Sequence, residues 1–144
     1  MNNIERILAL DVGTVRVGVA ISDPLGITAQ PQDRIHNNEE IWDKIKQICE
    51  EFNIKTIIVG IPTNRHKKDT QQTTYTRKFI DTLKTKTNIP IELVDERYSS
   101  MAAEKHLLSL DIKRKQRKQK IDSQAATFFL QGYLDKIQFK QKST

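Results

Sequence analysis

Apolar residues along the chain fall in short runs separated by polar turns. Arg6 to Asp11 reads Arg-Ile-Leu-Ala-Leu-Asp, a nearly continuous apolar run that ends on an acid. That is the pattern of a strand buried on both faces. Val12-Gly13-Thr14 signals a turn, and Val15 to Ile21 then alternates small and apolar residues as a second strand. So short a connection predicts an antiparallel hairpin. Ser22-Asp23-Pro24-Leu25-Gly26 marks another turn. Ile27 to Ile35 makes a weaker third strand, which Pro31 places near a sheet edge. Asn37 or Asn38 can cap the helix that follows. In it Ile41, Trp42, Ile45, Ile48, Cys49 and Phe52 recur at helical spacing, and Asn53 ends it.

The second half alternates strand and helix. Lys55 to Gly60 is a fourth strand, followed by a polar loop from Ile61 to Thr70 and a helix from Thr74 to Thr87 with Phe79, Ile80 and Leu83 inward. Pro90 to Glu96 is a fifth strand, again ending on acids. Ser99 or Ser100 can cap a third helix with Ala103, Leu107, Leu108 and Leu110 on its apolar face. Asp111 to Lys120 is polar and basic. Ile121 to Leu134 forms a last helix with Ile121, Ala125, Phe128, Phe129 and Tyr133 inward, and residues 136–144 are expected to fray. Trp42, Phe52, Phe79, Phe128 and Phe129 sit at core spacing and read as packing. The order β-β-β-α-β-α-β-α-α predicts an α/β fold: a five-stranded mixed sheet flanked by helices, with strands one, four and five free to run parallel. No internal repeat or linker interrupts it, and 144 residues suit one domain spanning 1–144.

Composition narrows the class. A lone cysteine cannot form an internal disulfide. No apolar run approaches the roughly 20 residues of a membrane helix, and the first residues lack the pattern of a signal peptide. A cytoplasmic protein with no membrane role is the expectation. The formal charge of +6 suits a polyanionic partner or an ordinary basic surface equally well.

The positions of the acids change that balance. Asp11 ends strand one, Glu96 ends strand five and Asp122 opens the last helix. Ligands of open α/β sheets gather outside the carboxyl ends of parallel strands, so topology can bring the three together. Converging carboxylates repel one another, and hard divalent cations relieve that repulsion while binding phosphate oxygens. Each acid also has a plainer role. Asp122 favours a helix dipole, Asp11 can accept turn hydrogen bonds, and Asp95-Glu96-Arg97 can be a solvated charge cluster. His36, His66 and His106 are isolated in sequence and offer no zinc set with Cys49.

Lys113 to Lys120 carries six positive charges in eight residues just before Asp122, and attracts phosphates without reading bases. The loop from Gly60 to Lys68 is basic as well. Each also has a plainer reading as solvated surface, but the run beside Asp122 lies where a substrate backbone would pass. Few aromatic residues are left to stack bases, Tyr75 and Tyr98 being candidates, which favours backbone recognition over base reading.

At this point the chain resembles a known family, the pre-16S ribosomal RNA nucleases and Holliday junction resolvases. The resemblance lies in Asp11-Val-Gly-Thr-Val-Arg-Val-Gly18 through Ser22-Asp23-Pro-Leu-Gly26, Val59-Gly60-Ile-Pro62, Val94-Asp95-Glu96-Arg97, Lys113-Arg-Lys, Ile121-Asp122-Ser123-Gln-Ala125-Ala126 and Leu130-Gln131-Gly132-Tyr133-Leu134. It covers nearly the whole chain. It implies a ribonuclease H-like fold, a bacterial cytoplasmic nuclease acting in 5′-end maturation of pre-16S rRNA or on junction DNA, and Asp11, Glu96 and Asp122 as catalytic acids holding Mg2+ or Mn2+. Asp95 has the wrong strand parity to join them. Arg16, Arg97, Lys113, Arg114, Lys115, Arg117 and Lys118 are the candidate phosphate contacts. Two features depart from the pattern. Arg65-His66-Lys67-Lys68 stands where the family usually has a glycine, and Tyr98-Ser99-Ser100 stands where threonines are common. Two other functions compete. One is nucleotide binding, for which the opening Asp-Val-Gly-Thr resembles an actin-type phosphate loop but no second loop follows. The other is a non-catalytic RNA-binding assembly factor. A monomer or a homodimer fits the sequence.

Overall fold

The computed structural model describes residues 5–61, 71–95 and 124–142. Its elements are β1 (Arg6–Val12), β2 (Arg16–Ser22), β3 (Ala29–His36), α1 (Ile41–Glu51), β4 (Ile54–Ile61), α2 (Gln71–Lys86), β5 (Ile91–Asp95) and α3 (Gln124–Lys142). Five strands form one mixed sheet in the order β3-β2-β1-β4-β5. β1–β2 and β2–β3 are antiparallel, whereas β1–β4 and β4–β5 are parallel. The carboxyl ends of β1, β4 and β5 therefore lie at one end of the sheet, as the crossovers predicted.

β1 is the central strand, and Leu8, Ala9 and Leu10 are fully buried because both sheet faces are covered. Alternation divides its side chains. Leu8, Leu10 and Val12 join Ile41 and Ile45 of α1 and Phe79, Ile80 and Leu83 of α2 in one core. There the rings of Trp42 and Phe79 lie 4.9 Å apart. Ile7 and Ala9 face a second core with Ala126, Phe129, Leu130 and Leu134 of α3. Alanines at 9, 20 and 29 line the sheet under α3, and small residues there leave room for the fully buried Phe129.

Several local expectations change. α2 starts at Gln71 rather than Thr74, because its first inward residues are the buried threonines Thr73 and Thr76, which an apolar pattern does not reveal. α3 presents Ala126, Phe129, Leu130 and Leu134, with Tyr133 at the margin; Ala125 and Phe128 are only half-buried. The tail expected to fray at 136–144 is helical through Lys142. Ile137 packs on the second core, and the Gln138 amide donates to the Gly26 carbonyl at 3.1 Å. Neither Asn37 nor Asn38 is the cap of α1: that residue is Glu40, which makes no side-chain cap bond. Asn38 instead shapes the turn before it, accepting the Glu40 N–H at 3.0 Å. The third helix expected after Ser99 lies outside the described residues.

Candidate active site

Asp11 is the second-last residue of the central strand. Across the hairpin it pairs with Gly18, which has no side chain to fill the space beside it. By alternation Asp11 falls on the α3 face. It lines an open concavity of about 430 Å³ with Gly13, Thr14, Val15, Arg16, Gly18 and Ala125. Ala125 is the second residue of α3, so the last helix starts beside the end of the first strand. Arg16 stands exposed at the rim. An acid, a guanidinium and open space are thus gathered at the ligand end of the sheet.

The turn that follows Asp11 is held from several sides. Gly13 N–H donates to the Arg16 carbonyl at 3.0 Å, and Asn37 N–H to the Val15 carbonyl at 2.8 Å. The Asn37 side-chain amide donates to the Gly13 carbonyl at 2.8 Å and to the Tyr75 hydroxyl at 2.7 Å. From α2, the Gln72 amide donates to the Val12 carbonyl at 2.7 Å. A Cβ on Gly13 would lie 2.5 Å from the Arg16 carbonyl oxygen, so this glycine is required by close approach.

Sequence reasoning missed this group. Asn37 looked like a helix cap, and Tyr75 like a free aromatic. A usable signal existed: Gln72 lies at helical spacing before Thr76, Phe79 and Leu83, which puts it at the exposed end of their stripe, within reach of the sheet.

Asp95 ends β5 and pairs with Ile61. The register aligns Leu10 with Val59 and Val59 with Leu93, so Asp11 is one row beyond, level with Gly60 and Val94. Asp95 has the parity of Leu93, opposite to that of Asp11, as alternation predicted. Glu96, Asp122, Arg97, Lys113, Arg114, Lys115, Arg117, Lys118 and the basic loop 65–68 lie outside the described residues. Among the described residues no three His, Cys, Asp or Glu side chains converge, and no helix is long and apolar enough to cross a membrane. Asp11 and Arg16 are therefore the two predicted site residues that the described structure brings together.

A mixed sheet of this order, with an acid near the end of its central strand, is the ribonuclease H-like fold. Solved structures agree on the fold. Thermus thermophilus RuvC in complex with a Holliday junction substrate superposes with a TM-score of 0.60 at 11% identity, covering 92% of this chain and 96% of that one. The Fowlpox virus resolvase bound to Holliday junction DNA gives 0.55 at 14% identity, covering 92% and 98%. The model of the family described as "RuvX: Holliday junction resolvase" matches residues 5–136, and the chain belongs to that family of nucleases. A protein of Sulfurihydrogenibium sp. (strain YO3AOP1) named "Putative pre-16S rRNA nuclease" is 42% identical over 98% of this chain and 97% of its own length. One of the same name from Clostridium botulinum (strain Hall) is 42% identical over 92% and 98%.

Proposed function

We propose that this chain is a single-domain, metal-dependent endonuclease that works in the cytoplasm on the 5′ end of pre-16S rRNA. The observation that carries the reading is Asp11 at the end of the central strand, in a concavity walled by the first turn of α3. Asp11 supplies a hard oxygen donor in an open space, which suits Mg2+ or Mn2+. In sequence Glu96 follows Val94 by two positions, the spacing at which strand alternation would give it the parity of Val94 and Asp11, and Asp122 precedes Ala125 by three positions. These relations favour Glu96 and Asp122 as the acids that would hold the metal with Asp11. When bound, the metal would activate water and stabilise the charge that builds on the phosphate.

The protein's own groups do the rest. Arg16 on the rim would bind a backbone phosphate and align the scissile bond. Arg97, Lys113, Arg114, Lys115, Arg117 and Lys118 would hold the flanking strand through charge alone. The hairpin turn keeps the Asp11 strand end fixed while the bond is cut.

The test is cleavage of a 5′-extended 16S precursor RNA by wild type and Asp11→Asn, each with Mn2+ and with a chelator. Cleavage that needs both Asp11 and the metal is expected. Equal cleavage by Asp11→Asn would refute the site. RNA binding without cleavage would move the reading to an assembly factor, and the family description makes junction DNA the next substrate to try.

A further inference from the structure

Two long-range side-chain bonds end on consecutive carbonyls just past Asp11. Gln72 reaches Val12 across 60 positions and Asn37 reaches Gly13 across 24. A short hairpin closes with its own ladder bonds and needs no such help. Gln72 belongs to α2, which packs on the sheet face opposite α3. Its bond therefore fixes the peptides after Asp11 without occupying the concavity. Asn37 is itself held at its second amide hydrogen by the Tyr75 hydroxyl. Both tethers are part-buried; Asn37 is half-buried and Gln72 exposed, so the two carbonyls are partly screened from water. A reacting geometry tolerates errors of only about 0.5 Å, and Asp11 stands beside a turn whose Thr14, Val15 and Arg16 are exposed.

We propose that Gln72 and Asn37 are positioning residues: a clamp, worked from the back of the sheet, that sets the Asp11 carboxylate for metal binding. The proposal rests on Asp11 being a metal acid. It assigns α2 and the β3–α1 connection a part in catalysis although neither touches the concavity.

The experiment compares full-length wild type, Asp11→Asn, Asn37→Ala, Gln72→Ala and Ser22→Ala. The Ser22 hydroxyl accepts the Ile7 N–H at 2.8 Å at the far end of β1, so its loss matches the clamp variants in structural damage. Mn2+ binding is read by calorimetry and single-turnover RNA cleavage is measured in parallel. Both clamp variants are expected to weaken Mn2+ binding about fivefold or more and to slow the cleavage step about tenfold to a hundredfold, with RNA affinity within about twofold. Ser22→Ala should lower the urea midpoint and change neither. Clamp variants that lose stability alone, like Ser22→Ala, overturn the proposal. Mn2+ binding lost in Asp11→Asn but kept in both clamp variants overturns the clamp alone. Binding unchanged in Asp11→Asn overturns the metal-site reading and the clamp with it. If Asn37→Ala does not fold, Tyr75→Phe removes only the hydroxyl partner and should give a smaller change in the same direction, about threefold; no change there would count against the clamp.

Discussion

Replacing Gly13 by alanine probes the turn beside Asp11 with a single methyl group. The added Cβ would lie 2.5 Å from the Arg16 carbonyl oxygen, where real contacts essentially never fall below 3.0 Å. Backbone meets backbone there, so no rotamer change relieves the clash. The turn must open by about 0.5 Å, which carries the Gly13–Arg16 hydrogen bond from 3.0 Å to beyond the ordinary N–H···O range of about 2.7–3.2 Å. Losing that bond costs about 1 kcal/mol, and the forced backbone adds about 1–3 kcal/mol. A destabilisation of about 2–4 kcal/mol is expected. Urea unfolding followed by fluorescence of Trp42 would measure it, since this is the one tryptophan of the chain and it packs on Phe79. The slope should stay unchanged while the midpoint falls, and cleavage should fall with it because the same turn directly follows Asp11. A Gly13→Ala protein within about 0.5 kcal/mol of wild type, the usual range for surface changes, would refute the close-approach reasoning.

Other perturbations follow from the same structure. Gln131 is a buried side chain of α3 that accepts the Ala29 N–H at 2.8 Å and donates to the Ile27 carbonyl and to Asp135, both at 2.9 Å. Gln131→Leu keeps its volume but leaves a buried donor unpaired, so urea unfolding should show a loss of about 1–3 kcal/mol; an unchanged midpoint would contradict the tether. Burial, then Glu50, pushes the Cys49 thiol from 9.0 up to about 11, while burial and then Glu92 push the Tyr133 hydroxyl from 10.0 up to about 12. Both folded values are raised, so the fold holds the proton more tightly than the unfolded chain. Their stabilising effect is complete below pH 9 and is lost as pH rises toward 12. Urea midpoints recorded from pH 8 to 11 should decline above 9, and a flat profile would rule this out.

How far the sequence is legible depends on whether a residue acts locally. Asp11 stood out because a run of fully buried residues cannot end on an acid without reason, and strands four and five read easily for the same continuity. The phase of α3 was ambiguous: the adjacent pairs Ala125-Ala126 and Phe128-Phe129 allow two inward faces about 100° apart, and only the alanine-lined sheet decides between them. The start of α2 was invisible because Thr73 and Thr76 are polar and yet buried. Asn37 was misread because its partners, Gly13 and Tyr75, are distant in sequence. Within the site, Asp11 and Arg16 line one concavity. Glu96, Asp122 and the basic run rest on motif and register.

The concavity takes its walls from both extremes of the chain, Asp11 and Ala125. A ribosome making this protein releases β1 first and α3 last. Until residue 125 emerges, the acid has no opposite wall, and the sheet lacks Phe129, Leu130 and Leu134, which cover its second face. A nascent or clipped chain therefore lacks both the finished pocket and half of its core. For a nuclease built this way, cutting is confined to chains in which both segments have folded together.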